Sequence, residues 1–159
     1  MGKIIMPKYT VVRDTREQKN FWQFDESPWC NETIEKALPT GDYSLLGMES
    51  FFTIERKYST GEFSANVCEK RFERELVRLD KMDQAYLILE FGWDEIESFP
   101  QKSGIPSRFW KNLRVSPKFL RKRLIEIMSD YNIQVILAED RGAEIAELLF
   151  KRMNVLYSE

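Results

Sequence analysis

The stretch Leu38-Pro-Thr-Gly-Asp42-Tyr-Ser-Leu-Leu-Gly47-Met-Glu-Ser-Phe-Phe-Thr-Ile-Glu55-Arg56-Lys57 decides the fold. Leu45-Leu46 and Phe51-Phe52-Thr53-Ile54 are rich in β-formers and flank Gly47-Met48-Glu49-Ser50, which has the composition of a hairpin loop. An antiparallel return through that loop brings Asp42 beside Glu55. Alternate residues of a strand share a face, so Glu55 and Lys57 point together while Arg56 points away. Two carboxylates and an ammonium at one sheet end suit a hard divalent cation held by oxygen ligands, with a lysine beside the water it activates. Taken alone the pattern is loose, because Glu, Arg and Lys at a strand end are more often solvated charges. The rest of the chain has to decide.

The 159 residues are expected to form a single domain over 1–159, long enough for a full core, and 43% hydrophobic with 31% charged residues is ordinary globular composition. No apolar run approaches membrane-spanning length, and Ile4-Ile5-Met6 is too short for a signal-peptide core. Cys30 and Cys68 fit no zinc spacing and histidine is absent, which argues against zinc chemistry and His-based nucleophilic triads. A reducing, cytoplasmic setting is expected. With a net charge of −2, any nucleic-acid role must rest on how charge is distributed.

Tyr9-Thr-Val-Val-Arg-Asp14 reads as a strand whose carboxyl end carries Asp14 and Glu17, where open α/β sheets place their ligand sites. Phe21, Trp22, Phe24 and Trp29 either stack bases or pack a loop onto the core, the second being the commoner use. Thr33 to Leu38 reads as a second strand leading to the Asp42 turn. Ser59-Thr-Gly-Glu62 starts a helix, along which Phe63, Val67, Phe72, Leu76 and Leu79 form one apolar stripe. Arg71 and Glu75 share a face beside it, as a surface ion pair also would. Ala85 to Phe91 is a strand buried on both faces.

Residues 92–118 interrupt this rhythm and turn basic, with no acid from Lys102 to Arg123. Ser116-Pro117 starts a helix with Leu120, Leu124, Ile127, Met128 and Tyr131 as its buried face. Lys111, Arg114, Lys118, Arg121 and Lys122 either contact phosphate or form a solvated face. Ile133 to Ala138 is the last strand, Asp140 is expected to cap the closing helix, and Ile145, Leu149 and Met153 are its stripe.

With these residues in view, the chain resembles the nuclease domain of the XPF-type structure-specific endonucleases, within the PD-(D/E)XK, restriction-endonuclease-like superfamily. Gly41-Asp42 and Ile54-Glu55-Arg56-Lys57 match the family's Gly-Asp and Glu-Arg-Lys elements. Asp14-Thr-Arg-Glu17 matches its opening strand, and Arg71-Phe72 with Glu75 matches its helix. The resemblance implies a three-layer α/β/α sandwich around a central mixed sheet, with 92–118 a family-variable basic insertion. It also implies a Mg²⁺-dependent DNA endonuclease, Mn²⁺ substituting, acting on branched or flap DNA in repair, recombination or replication.

In that scheme Glu17, Asp42 and Glu55 hold the metal, and Lys57 orients the water or neutralises the oxyanion. Asp14 supports Glu17 or the metal waters, Arg56 braces backbone or acids, and Arg71 lies near the phosphate or the acid cluster. No nucleotide cofactor and no membrane partner are expected. Two departures stand out. The family acid after Glu-Arg-Lys falls at Gly61, for which Glu62 only partly stands in, and the usual helix-hairpin-helix module does not follow, so a homodimer is expected to engage the second DNA arm. The alternatives are a catalytically silent module that binds branched DNA, and a protein-binding scaffold carrying a chance motif.

Overall fold

The computed structural model describes residues 7–17 and 20–158; the Ile4-Ile5-Met6 run lies outside them. Six strands, β1 (Tyr9–Arg13), β2 (Cys30–Glu35), β3 (Tyr43–Leu45), β4 (Phe52–Lys57), β5 (Gln84–Leu89) and β6 (Gln134–Leu137), form one sheet in the order β2-β1-β3-β4-β5-β6. The β1–β2, β4–β5 and β5–β6 pairs are parallel, while β3 is antiparallel to both β1 and β4. The carboxyl ends of five strands and the amino end of β3 therefore lie along one sheet edge.

Period-two patterning divides the core into two halves. Ala85, Leu87 and Leu89 of β5 pack with α1 (Thr60–Asn66), α2 (Lys70–Asp80) and α4 (Pro117–Asp130); short α3 (Trp93–Glu97) adds Ile96. Ile88, Phe52, Ile54 and Val11 face the other way, onto Phe150 and Met153 of α5 (Gly142–Tyr157) and onto Trp22 and Phe24. Fully buried Phe63, Leu76, Leu87 and Leu124 are each worth roughly 1.5–3 kcal/mol of apolar burial. The product is a three-layer α/β/α sandwich of the restriction-endonuclease type.

Several boundaries differ from the sequence reading. The second strand is Cys30–Glu35 rather than 33–38, because Leu38 leaves the sheet to donate its N–H to Asp14 Oδ1 at 2.8 Å. The stripe from Phe63 to Leu79 is carried by two helices, α1 and α2, with the chain turning at Val67–Glu69. A bent stripe still faces one core, so spacing alone could not reveal the break.

Trp22 and Phe24 are core, packed against Tyr43 and Phe150, and do not present their faces to bases. Asp140 does not cap α5: it sits exposed in the 3-10 turn Glu139–Arg141 that precedes the helix. The buried residues of α5 are Gly142, Ala146, Phe150, Met153 and Asn154, and the expected Ile145 and Leu149 pack half-buried on the same core. In α4, Met128 faces solvent. The caps Ser59 on α1 and Ser116 on α4 accept from Glu62 and Phe119 N–H, both at 3.1 Å, as their sequences predict. Among the described residues no helix is long and apolar enough to cross a membrane.

Candidate active site

The site is assembled by backbone before any side chain acts. Tyr43 is paired with Ile54, so the preceding Asp42 meets Glu55 across the β3–β4 ladder, with Asp42 N–H on the Ile54 carbonyl at 2.8 Å. The Asp42 carbonyl accepts from Asp14 N–H at 2.8 Å and its Oδ2 accepts from Arg56 N–H at 2.8 Å. Gly41 makes the approach possible. Its φ is +83°, and a Cβ there would sit 2.0 Å from Thr53 Oγ1, which itself donates to the Thr40 carbonyl at 2.8 Å. The turn is thus nailed to β4 one residue before the acid it presents.

On one face of β4, Lys57 Nζ donates to Glu55 Oε1 at 3.0 Å and lies 5.1 Å from the Phe72 ring centroid. On the other face, Arg56 is a cross-brace: Nε binds Glu90 Oε1, Nη1 donates to the Asn20 carbonyl at 2.7 Å, and Glu17 Oε2 lies 3.8 Å away. The guanidinium also covers the Trp22 ring at 4.8 Å. Arg56 thereby ties Glu17 and the Asn20 carbonyl to the end of β4.

Asp14 is sealed rather than open. Its carboxylate takes the Leu38 N–H and the Arg16 guanidinium, the latter at 2.7 Å, so it braces the 38–42 turn. Burial alone would raise its carboxyl, yet the hydrogen bonds from Arg16 and Leu38 bring it below the ordinary value.

These groups line a cleft with two adjoining lobes of ≈ 240 and ≈ 460 Å³, Asp42, Glu55, Lys57, Asn66 and Arg71 belonging to both. Arg71 stands exposed at the rim, 3.1 Å from Glu69. Two acids outside the expected ligand set also face it. Glu75 of α2 lies against Glu55, and Glu62 lines the lobe that holds Glu17. For Glu75 the sequence signal was its place one turn after Arg71; for Glu62 it was its place next to Gly61, where the resemblance expects an acid.

The Gly61 departure has a steric origin. A Cβ at position 61 would lie 2.4 Å from the Ser103 carbonyl, so the residue faces the 103–105 loop and the neighbouring Glu62 faces the acids.

Burial, then the charge of Glu17, pushes Asp42 up to about 7, against the Arg56 N–H and Lys57. Burial, then Asp42, does the same to Glu55, also up to about 7, and burial with Glu55 raises Glu75 to about 8. Burial raises Glu17 and Glu62 too. For Lys57, burial opposes the ammonium, but Glu55 and Glu75 outweigh it and the net shift is upward. The acids crowd a water-poor edge with one buried ammonium among them, and such an all-oxygen donor set fits a hard cation. Among the described residues no three carboxylates are already gathered as a closed ligand set.

A profile of the ERCC4 domain matches residues 13–151. The chain belongs to the ERCC4 domain family. Among solved structures it is similar to XPF from Aeropyrum pernix, at 20% identity and a TM-score of 0.60 over 94% of this chain. It is also similar to the Aeropyrum pernix XPF in complex with DNA, at 18% identity and 0.57 over 96%. The chain spans 65% of the length of the first and 68% of the second. No curated protein sequence matches it. Family and fold agree: the chain is an ERCC4 domain folded like the XPF structures. The ERCC4 match begins at Arg13, one residue before Asp14, and runs through every side chain of the cleft.

The expected phosphate-binding residues lie apart from the acids. Lys111, Arg114, Lys118 and Lys122 are exposed and Arg121 is half-buried, along the 3-10 turn Ser107–Asn112 and the first turns of α4. Arg123, the last of the run, turns inward to Glu126 at 3.5 Å and Glu73 at 3.8 Å.

Proposed function

We propose that this ERCC4 domain is a metal-dependent endodeoxyribonuclease that hydrolyses phosphodiester bonds in branched or flap DNA. The observation that carries the reading is the convergence of Asp42, Glu55 and Lys57 at the strand-end edge, with Glu17 held on the cleft wall by Arg56. Glu17, Asp42 and Glu55 would hold Mg²⁺, with waters completing the octahedron and Mn²⁺ able to substitute. The bound cation supplies Lewis acidity at the scissile phosphate.

The chain's own groups do the rest. Lys57 remains an ammonium, so it acts as charge and donor, not as proton acceptor. One of its three N–H groups is spent on Glu55 and the others are left for the attacking water or a phosphoryl oxygen. Arg56 and Asp14 position the acids from behind. Arg71 at the rim meets a phosphate flanking the scissile one. Lys111, Arg114, Lys118, Arg121 and Lys122 would hold the duplex through its backbone.

A second copy of the chain would engage the other DNA arm. Val155, Leu156 and Tyr157 leave the exposed side of α5 apolar near a ≈ 520 Å³ cavity at the opposite sheet end; Met153 is buried in the chain's own core. Retention of the paired Asp42, Glu55 and Lys57 argues against a silent, binding-only module.

The test is cleavage of labelled flaps, forks, junctions, single strands and duplexes with Mg²⁺, Mn²⁺ or chelator. Metal-dependent cutting near a branch is the expected result, and inertness toward all of them in every metal sinks the reading. Sedimentation with and without DNA tests the dimer.

A further inference from the structure

The excursion between β5 and α4 holds up a feature that the cleavage chemistry does not use. Its 3-10 turn, Ser107–Asn112, buries none of its residues fully, yet it is firmly anchored. The Trp110 indole N–H donates to the Ile105 carbonyl at 2.8 Å, and Leu113 and Val115 pack on the core. Ser103 and Ile105 in turn close over Gly61 at the head of α1, whose next residue, Glu62, lines the cleft.

What this anchored turn presents to solvent is Phe109, 45% exposed, with the Arg108 guanidinium 4.7 Å from the ring centroid. Phe119, 40% exposed, stands in the first turn of α4. A lone exposed Phe needs no explanation. Two of them within a run free of acids from Ser98 to Ile125 are another matter. Lys102, Arg108, Lys111, Arg114, Lys118 and Lys122 are all exposed there, and among the described residues none is in an ion pair. A merely solvated face on a chain with a net charge of −2 has acids at hand to mix with its bases.

We propose that the Arg108–Phe109 ledge holds an unpaired nucleotide of the DNA, its base stacked on the Phe109 ring and its flanking phosphates on the neighbouring bases of the run. The inference rests on the DNA-cleavage reading above and narrows its substrate to duplex carrying a single-stranded arm. In a closed duplex the base faces are stacked on one another, so an outward aromatic face has a use only where a base has left the stack. The guanidinium beside the ring adds a cation for the phosphates and a second planar surface for the base. Trp110 is the anchor and Phe109 is the contact. That division explains why two adjacent aromatics differ in exposure.

The test measures affinity in chelator, so that nothing is cut, for a single strand, a blunt duplex and a duplex with a single-stranded arm carrying 2-aminopurine. The wild-type protein is compared with Phe109→Ala, Phe109→Trp and Arg108→Gln, each checked for an unchanged melting temperature. Phe109→Ala is expected to weaken single-strand and armed-duplex binding about tenfold, as expected for loss of one stacked base. It should leave the blunt duplex within about twofold and abolish the 2-aminopurine quenching seen with wild type. Phe109→Trp restores both, and Arg108→Gln loses part of the affinity and flattens the salt slope.

Equal weakening on all three DNAs, or a Phe109→Ala protein that binds and quenches like wild type, overturns the ledge and leaves it as a protein-facing surface. The two readings fail separately. Wild-type protein that neither binds nor cuts any DNA removes the cleavage reading and the ledge with it, whereas indifference at Phe109 in a protein that cuts removes the ledge alone.

Discussion

The acid cleft and the basic excursion handle charge in opposite ways. In the cleft the charges are buried and braced: Lys57 on Glu55, Arg56 on Glu90 and Asn20, Asp14 on Arg16 and Leu38. Their positions follow from β-ladder register, so each side chain has little freedom to move. Along the basic run Lys102, Arg108, Lys111, Arg114, Lys118 and Lys122 are exposed and outside any ion pair among the described residues, and Phe99, Ile105, Leu113 and Val115 tie the excursion to the core. Under the proposed function the contrast has a use: precision serves the breaking of a phosphorus–oxygen bond, and reach is enough to hold a polyanion. The net charge of −2 conceals this separation completely.

The sharpest way to break the contrast is to remove one charge from the cleft. Glu55→Gln and Asp42→Asn are expected to reduce cleavage to background and leave DNA affinity nearly intact. Lys57→Ala is expected to lower the cleavage rate by about 10²–10³, the scale for losing one donor to developing charge. Single-turnover cleavage and anisotropy binding, done side by side, check both halves.

Removing charges from the excursion should do the reverse. A variant with Lys111, Arg114, Lys118 and Lys122 all changed to Ser is expected to fold normally. It should bind duplex more weakly and lower the log–log salt slope by about 0.9 for each phosphate that is no longer neutralised. An unchanged slope would reduce this face to solvated surface.

Stability separates the two regions next. Gly41→Ala forces an L side chain to φ +83° against Thr53 Oγ1, at a cost of about 1–2 kcal/mol for the backbone alone. Urea denaturation should show that loss, together with a fall in activity as Asp42 shifts. Arg114→Ala should cost nothing measurable in the same assay.

The pH response of the metal-free protein gives a smaller effect of definite sign. Asp42 and Glu55 have folded values raised to about 7, above those of the unfolded chain. Their ionisation therefore subtracts stability as pH rises from about 4 through 7. Without metal the protein should melt higher at pH 5 than at pH 8, and Mg²⁺ should stabilise it most at the higher pH. A melting temperature that rises over that interval in chelator would contradict the crowding of the acids. The smallest expected change is Glu62→Gln, a few-fold loss of cleavage, since Glu62 faces the cleft but lies beyond the ladder that places Asp42 and Glu55.

Much of the cleft was legible because its geometry is local. A hairpin about Gly47–Ser50 and the two-residue period of a strand suffice to put Asp42 beside Glu55, to turn Lys57 toward them and to turn Arg56 away. The helix starts at Ser59 and Ser116 were equally legible, since a cap is a relation between residues three apart. Other readings waited on distant contacts. Trp22 and Phe24, whose commoner use is packing a loop onto the core, are core because Phe150, far along the chain, lies beside Phe24. The break between α1 and α2 preserves the direction of the apolar stripe and so leaves no trace in its spacing.

The amino-acid sequence by itself determined the succession of six strands along the chain, the pair of acids with their lysine, and the sign of charge along residues 98–125, because each depends on neighbours along the chain. Tertiary structure alone decided that Glu75 and Glu62 join those acids, that Arg56 holds Glu17, and that Asp14 is a brace. It alone decided that the Ser103 carbonyl excludes a side chain at Gly61. Those outcomes depend on which surfaces the sheet brings together and on how much water remains between them. Close packing settles that only once the distant segments have met.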